Sequence, residues 1–69
     1  MMELRRATVR GFDSGTYKAT VQLEGNPHYL SGVPVNRGIG SGDMVAGRWC
    51  VVVFVDPHEP GDAMVVGVY

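Results

Sequence analysis

Cysteine is almost absent from this sequence: Cys50 is the only one in 69 residues, which excludes a disulfide within the chain. The two histidines, His28 and His58, are far apart and no C-x-x-C pair occurs, so we expect no metal and no cofactor. A chain this short buries only about 60% of its unfolded surface and usually needs a disulfide, a metal or self-association to supplement its core. Self-association remains, and we expect a homo-oligomer.

Long apolar runs and an excess of one charge are also missing. No stretch approaches the ~20 apolar residues of a membrane span, and the opening residues contain no apolar signal-peptide core. We therefore expect a protein of the cytoplasm, or of a virion or tail-like particle assembled there, with no membrane partner. The net charge is −1, whereas domains that bind phosphate backbones are usually strongly basic. Nucleic acid is thus a less favoured partner than protein.

Helical periodicity is the third absence, because no window repeats apolar residues at i, i+3, i+4 and i+7. Ten glycines and four prolines punctuate the chain at short intervals, which is typical of short strands joined by turns. The sequence predicts one all-β domain over residues 1–69, a small barrel of the OB or SH3-like kind with five strands, or six.

The first two strands are predicted to form a hairpin. In segment 16–24 the apolar and polar residues alternate, so one face is buried and the other is in contact with water. A three-residue loop at 13–15 aligns like residues of segment 3–12 with this strand. In that register Arg10 lies opposite Lys18, and Gly15 takes the left-handed conformation that such a loop requires. The inward-facing residues of the second strand are Tyr17, Ala19, Val21 and Leu23.

The third strand, 28–36, is predicted to be irregular. Its inward face carries Tyr29, Val33 and Val35, and Pro34 removes one ladder donor, which indicates an edge strand or a bulge. After it, the glycine-rich segment 37–47 predicts a long loop that covers one end of the barrel, with one helical turn near 41–45.

The fourth strand, 48–55, reads RWCVVVFV and is apolar on both faces, which is typical of a strand covered on both sides. Successive side chains face opposite ways. The outward row is therefore either Cys50, Val52 and Phe54 or, in the other phase, the row that begins with Trp49. An exposed apolar strip usually marks an interface, so we expect a subunit contact through Trp49, Cys50, Val52 and Phe54. A covering loop would serve equally well.

Residues 47–67 combine a glycine, a hydrophobic strand, an acidic turn with proline and a short valine-rich strand ending in glycine. This pattern resembles the C-terminal half of the OB-type barrel in contractile-phage baseplate spikes and type VI secretion spikes. The Val33-Pro34-Val35 segment lies where that family has a Val-Pro segment before its loop. The resemblance implies a phage or prophage tail or virion component that works within an assembly, with other tail or virion proteins as partners. The matching positions are Gly47, Val51, Val53, Phe54, Asp56, Pro60, Val65, Val66 and Gly67.

Three basic residues, Arg6, Arg10 and Lys18, share one exposed face in the predicted register. Like charges placed opposite one another are unfavourable, and an anionic partner would relieve this repulsion. OB barrels bind single-stranded nucleic acid on such faces, although a solvated face with splayed side chains is the simpler interpretation. The outward aromatic residues in this register are Phe12, Trp49 and Tyr69.

The turn 56–62, DPHEPGD, contains Asp56, His58 and Glu59 and could be read as a hard-metal site, but its prolines and its Gly-Asp end are ordinary turn chemistry. No Ser-His-Asp arrangement, phosphate-binding loop or metal motif is present in the sequence. The sequence therefore predicts no enzyme, no catalytic residue and no small-molecule substrate. Two functional hypotheses remain: a self-associating assembly protein and, as the alternative, a single-stranded nucleic-acid-binding module.

Overall fold

A computed structural model of the chain describes residues 2–56, 58–59 and 61–69, and these residues form one five-stranded sheet with almost no helix. A single 3-10 turn, Ser41–Asp43, lies in the long loop where one helical turn is predicted. Met1, Pro57 and Pro60 lie outside the described residues, so the prolines of the predicted acidic turn are not part of this description. The strands are β1 (Glu3–Asp13), β2 (Lys18–Leu23), β3 (Tyr29–Pro34), β4 (Trp49–Phe54) and β5 (Ala63–Val68).

The strand order is β3-β2-β1-β4-β5, and all neighbouring strands are antiparallel. The long loop after β3 brings β4 back to lie beside β1, and this strand order is that of a Greek key. The two ends of the sheet meet at Val35 and Val65 in one parallel bridge, and the Asn36 N–H donates to the Val65 carbonyl at 2.9 Å. The prediction of a small five-stranded β-barrel is confirmed, and the barrel is a curled, partly closed sheet with Greek-key strand order. In the described part of the chain no helix is long and apolar enough to cross a membrane.

The β1–β2 hairpin has the predicted strands but a different loop. The turn covers residues 14–17, and Tyr17, not Gly15, takes the left-handed conformation, with φ 57°. This conformation is unfavourable for a bulky residue and persists because surrounding contacts fix it. The Tyr17 carbonyl accepts from the Val35 N–H at 3.0 Å, and its hydroxyl donates to the Ile39 carbonyl. A left-handed glycine was expected from local turn chemistry, whereas tertiary contacts select the tyrosine.

The predicted hairpin register is also wrong. Val9 pairs with Val21, two residues further along β2 than predicted, and the register shifts once more between Val9 and Gly11. Arg10 is thus the extra residue of a β-bulge. Lys18 lies opposite Asp13 rather than opposite Arg10, so the like-charge pair expected from the sequence does not form.

Tyr29 is predicted to face inward, but it is 57% exposed. The β2–β3 register shifts by one residue around Ser31 and Gly32, and Gly32 is left-handed with φ 68°. The extra residue reverses the alternation of side chains, so Tyr29 points outward while Val33 stays in the core. β3 is an edge strand with a bulge, as Pro34 indicates.

The core lies inside the curled sheet and consists of apolar side chains, with no buried polar residue among the residues described. The loop 37–47 contributes Met44, which is buried, and Ile39, which packs partly buried against the core. The buried cluster contains Ala7, Val9, Ala19, Val21, Leu23, Val33, Val35, Met44, Cys50, Val52, Phe54, Ala63 and Val65.

Replacing Gly32 by alanine should lower the free energy of unfolding by about 1–2 kcal/mol, because an L-residue is unfavourable in the left-handed region. A Cβ at this position would meet nothing within 4 Å, so the effect isolates the backbone conformation. Gly11→Ala is the matched control, since its surroundings are equally open and its φ is not positive. We expect this control to be neutral or more stable by up to about 1 kcal/mol. Urea unfolding at one protein concentration compares the variants, and equal unfolding midpoints would contradict the role of Gly32.

Candidate functional site

The outer face of the sheet carries a row of side chains that crosses from one edge to the other. Tyr29 pairs with Gln22, Gln22 with Thr8, and Thr8 with Trp49. The Tyr69 N–H donates to the Trp49 carbonyl at 3.0 Å and continues the line beyond β4. Paired residues share a face of the sheet, so these five residues form what we call the outer row. Its three aromatic side chains are 40–61% exposed.

Arg6 lies against the Trp49 end of the outer row. Its guanidinium carbon is 4.5 Å from the Trp49 ring centroid, which is cation–π distance. The Arg6 Nε donates to Glu24 Oε2 at 3.0 Å, and Nη2 donates to the same oxygen. The hydrogen bond with Glu24, and secondarily one with Tyr69, raises the pKa of Arg6 above its usual value. Arg6 is thus a fixed positive charge already paired with a carboxylate.

Arg10 occupies the corresponding place at the Tyr29 end. Its guanidinium carbon lies 5.9 Å from the Tyr29 ring centroid. Arg10 donates from Nε and Nη2 to Gln22 Oε1, at 3.0 and 2.7 Å. The Gln22 amide in turn donates to the Asn26 carbonyl at 3.1 Å. Because the partner of Arg10 is a neutral amide, its positive charge remains uncompensated by these contacts.

A concavity of about 460 Å³ opens beside Trp49, between β1 and the turn that joins β2 to β3. Thr8 and Gln22 of the outer row line it, together with the Trp49 and Pro27 rings. The remaining lining residues are Leu23, Glu24, Gly25 and Asn26.

Lys18 does not join the outer row. It pairs with Asp13 and Pro34 near the hairpin turn, and it lines a different depression of about 370 Å³. Of the three basic residues expected on one anion-binding face, the structure places Arg6 and Arg10 on either side of Thr8 and sets Lys18 beyond the bulge at Arg10.

The first of the two phases considered for the fourth strand is wrong. Cys50, Val52 and Phe54 belong to the core, with exposures of 0, 0 and 6%, so they are not an outward row. Trp49 faces outward, as in the alternative phase, and its role in a subunit contact stays a prediction. The phase could not be read from the sequence because both faces of β4 are apolar. Phe12 also points inward and packs edge-to-face on Tyr17, with ring centroids 5.1 Å apart.

A second line of outer-face residues is wholly apolar. Leu4 pairs with Val53, and Val53 pairs with Met64, across β1, β4 and β5. Leu4 is 65% exposed, whereas Val53 is only 8% exposed although it lies outside the core cluster. Together with Val51, which lies next on this face of β4, these residues form what we call the apolar patch.

Hydrogen bonds to the side chain and the carbonyl of Asp56 organise the acidic turn. Asp56 Oδ1 accepts from the His58 N–H at 3.0 Å, and the Asp56 carbonyl accepts from the Glu59 N–H at 2.9 Å. These contacts are the turn chemistry predicted for this segment. Within the described ranges, no group of three or more His, Cys, Asp or Glu residues could hold a metal ion.

Sequence reasoning missed Tyr29, Gln22 and Glu24 as parts of the candidate site. The period-two alternation of β2 placed Gln22 and Glu24 on the exposed face, so a search for acceptors beside the arginines would have found them. Tyr29 required the bulge, for which Gly32 within a strand was the available signal.

No protein-family model matches the chain, and no curated protein and no solved structure matches it. The resemblance of residues 47–67 to phage and type VI spike barrels therefore stays a prediction.

Burial in the core raises the pKa of the Cys50 thiol to about 11, from its usual value of 9.0. Between these pH values the unfolded chain loses a proton that the folded chain keeps, so stability is full below pH 9 and falls as the pH approaches 11. The loss is up to about 2–3 kcal/mol. Urea unfolding at several pH values should show this component in the wild type but not in Cys50→Ala. Parallel pH profiles for the two proteins would disprove it.

Proposed function

We propose that the protein is a non-enzymatic assembly component, a small OB-type barrel that self-associates through the apolar patch and serves in a phage- or prophage-type tail or virion. The observation that carries this proposal is the line from Leu4 through Val53 to Met64, an apolar strip on the outside of the barrel. Val53 is already buried in the single chain, whereas Leu4 is 65% exposed, so complete burial of this strip requires a partner.

The energetics favour covering this strip. Leu4 exposes 65% of its surface, and full burial of a leucine side chain is worth about 1.5–3 kcal/mol. Val53 is already shielded on the outer face, between its cross-strand partners Leu4 and Met64. A partner therefore meets a preformed apolar surface whose central side chain needs no further ordering. Leu4 and the partly exposed Val51 and Met64 form the accessible part of this surface, and exposed apolar patches mark interaction sites on folded proteins.

A second copy of the chain fits the charges around the patch. Glu3 and Arg5 flank Leu4 along β1, with 3.8 Å between Glu3 Oε1 and Arg5 Nη1. The Arg6–Glu24 pair lies on the adjoining side. In a two-fold dimer the same surface of each copy forms the contact. A rim with both charge signs is then self-complementary, because each carboxylate can lie opposite an arginine of the other copy. The net charge of −1 adds little repulsion between copies.

The resemblance of residues 47–67 to spike barrels supports the proposed setting. Matching positions fall on both faces of β4: Phe54 is in the core, and Val51 and Val53 are in the patch. A barrel of that family works by occupying a place among other subunits, which agrees with a surface built for burial. Catalysis needs converging reactive groups, whereas the patch offers none.

Leu4→Glu should abolish self-association and leave the fold intact, because the side chain is exposed in the single barrel and a buried carboxylate would be costly in the interface. The matched control is Val45→Glu, an equally apolar side chain, 51% exposed, in the loop between β3 and β4. Substituting Phe54 would not separate assembly from folding, since Phe54 is in the core.

Light scattering at micromolar concentrations measures the mass, and circular dichroism monitors the fold. We expect wild type and Val45→Glu to show a multiple of the single-chain mass, and Leu4→Glu to show the single-chain mass with an unchanged spectrum. A wild-type protein of single-chain mass, or a Leu4→Glu variant that assembles like the wild type, would overturn the proposal.

A further inference from the structure

The outer row contains two positions at which an aromatic ring and an arginine lie together. Tyr29 with Arg10 lies on the β3 side, and Trp49 with Arg6 lies on the β4 side. The two rings are three strand spacings apart, about 14 Å. A strand of about four stacked nucleotides, at ~3.4 Å each, spans this distance. We infer that the outer row is a binding surface for single-stranded nucleic acid, with the rings stacking on bases and the arginines contacting phosphates.

The rings provide the sequence-tolerant part of this surface. Trp49 and Tyr29 are 40% and 57% exposed, on a face where a strand can run across the sheet. Every base has a π-face, so stacking on exposed rings binds single strands without reading their sequence. Arg6 and Arg10 lie over the Trp49 and Tyr29 rings. Guanidinium planes stack on bases as well, so a base can stack on the guanidinium or, once the arginine turns to a phosphate, on the ring. The concavity beside Trp49 has room for a base or a sugar.

The arginines provide the anion contacts, and they differ in availability. Arg10 is held by the neutral Gln22 amide, so its charge is free to meet a phosphate without displacing an anion. Arg6 is held by Glu24, whose carboxylate occupies the position that a phosphate oxygen would take. Binding at the Trp49 end therefore replaces Glu24 by a phosphate, and Glu24 acts as an internal competitor.

A neutral oligosaccharide is the other occupant that rings and polar groups on an OB barrel could hold. The placement of a cation at each ring favours an anionic ligand over a neutral one. The two ligands make opposite demands on Glu24, because its carboxylate repels a phosphate but accepts hydrogen bonds from sugar hydroxyls. Replacing Glu24 therefore distinguishes them.

The test is a fluorescence titration with the twelve-residue oligothymidylate (dT)12. Trp49 is the only tryptophan of the chain, so quenching of its emission reports on the outer row directly. Two phosphate contacts on a single strand give a salt slope of about −1.4, so the affinity should fall about sevenfold between 50 and 200 mM salt. A matched titration uses maltohexaose, cellohexaose and chitohexaose as neutral oligosaccharides.

Three variants and one control sharpen the test. Tyr29→Ala should weaken (dT)12 binding about tenfold through lost stacking. Arg10→Gln should weaken it and reduce the salt slope by about 0.7. Glu24→Gln should strengthen it severalfold, because Arg6 is released. Arg37→Gln is the control: this arginine lies over the Tyr17 ring, 5.3 Å from its centroid and away from the outer row, and its loss should leave the affinity unchanged.

Several results would overturn the inference. They are the absence of quenching by (dT)12 at 50 mM salt, wild-type affinity in both Tyr29→Ala and Arg10→Gln, and quenching by a neutral oligosaccharide that is insensitive to salt and weakened by Glu24→Gln. The last result would assign the outer row to a saccharide. Tyr29 and Arg10 lie outside the apolar patch, so the outcome is independent of whether the protein self-associates.

Discussion

The structure depends on the pairing of β1 on both of its sides. Its first half forms a ladder with β4 and its second half with β2, so this one strand of 11 residues joins the two halves of the sheet. The bulge at Arg10 bends β1 after its shared segment and lets the sheet curl until Val35 and Val65 meet. Without the β1–β4 ladder the sheet would separate into the β1–β2–β3 strands and the β4–β5 hairpin, and a hairpin is marginal in isolation. The core, the outer row and the apolar patch follow from this double pairing.

β4 contributes side chains both to the core and to the outer face of the sheet. Its inward residues, Cys50, Val52 and Phe54, complete the core, and its outward residues run from Trp49 in the outer row to Val53 in the apolar patch. Four residues of extended chain separate these two outward positions, about 13 Å. The continuous apolar character of β4 thus reflects a core on one side and a candidate interface on the other.

The sequence predicted the barrel because the strands are short, well separated by turns and alternating where only one face is buried. The prediction of side-chain orientation failed where a single inserted residue changes the inward–outward alternation of a strand. Tyr29 was placed inside because the bulge at Gly32 was not anticipated, and one inserted residue moves every later side chain to the other face. In the first hairpin the error begins at the turn, where the loop 14–17 places Asp13 opposite Lys18, and the bulge at Arg10 then shifts the pairing by one more residue.

The candidate site was predictable only in part, because Arg6 and Arg10 alternate visibly on an exposed face whereas their partners come from other strands. Glu24 reaches Arg6 only in the true register, and Tyr29 reaches Arg10 only after the bulge. Tyr17 is a further case, since its left-handed backbone is fixed by contacts with Val35 and Ile39 that no local pattern encodes. Long-range pairing, rather than propensity, decides such positions.

Self-association at the apolar patch would increase the number of outer rows that one nucleic-acid strand can contact. Two arginines and two exposed rings bind a single strand weakly, the more so because Glu24 compensates Arg6 and the net charge is −1. An assembly held together at the apolar patch would present several outer rows at fixed spacing. A strand bound at one row then meets the next at a high effective concentration, which can raise the overall affinity by about 10²–10⁴ without any new contact. Each barrel carries a complete outer row, so self-association would strengthen this surface without creating it.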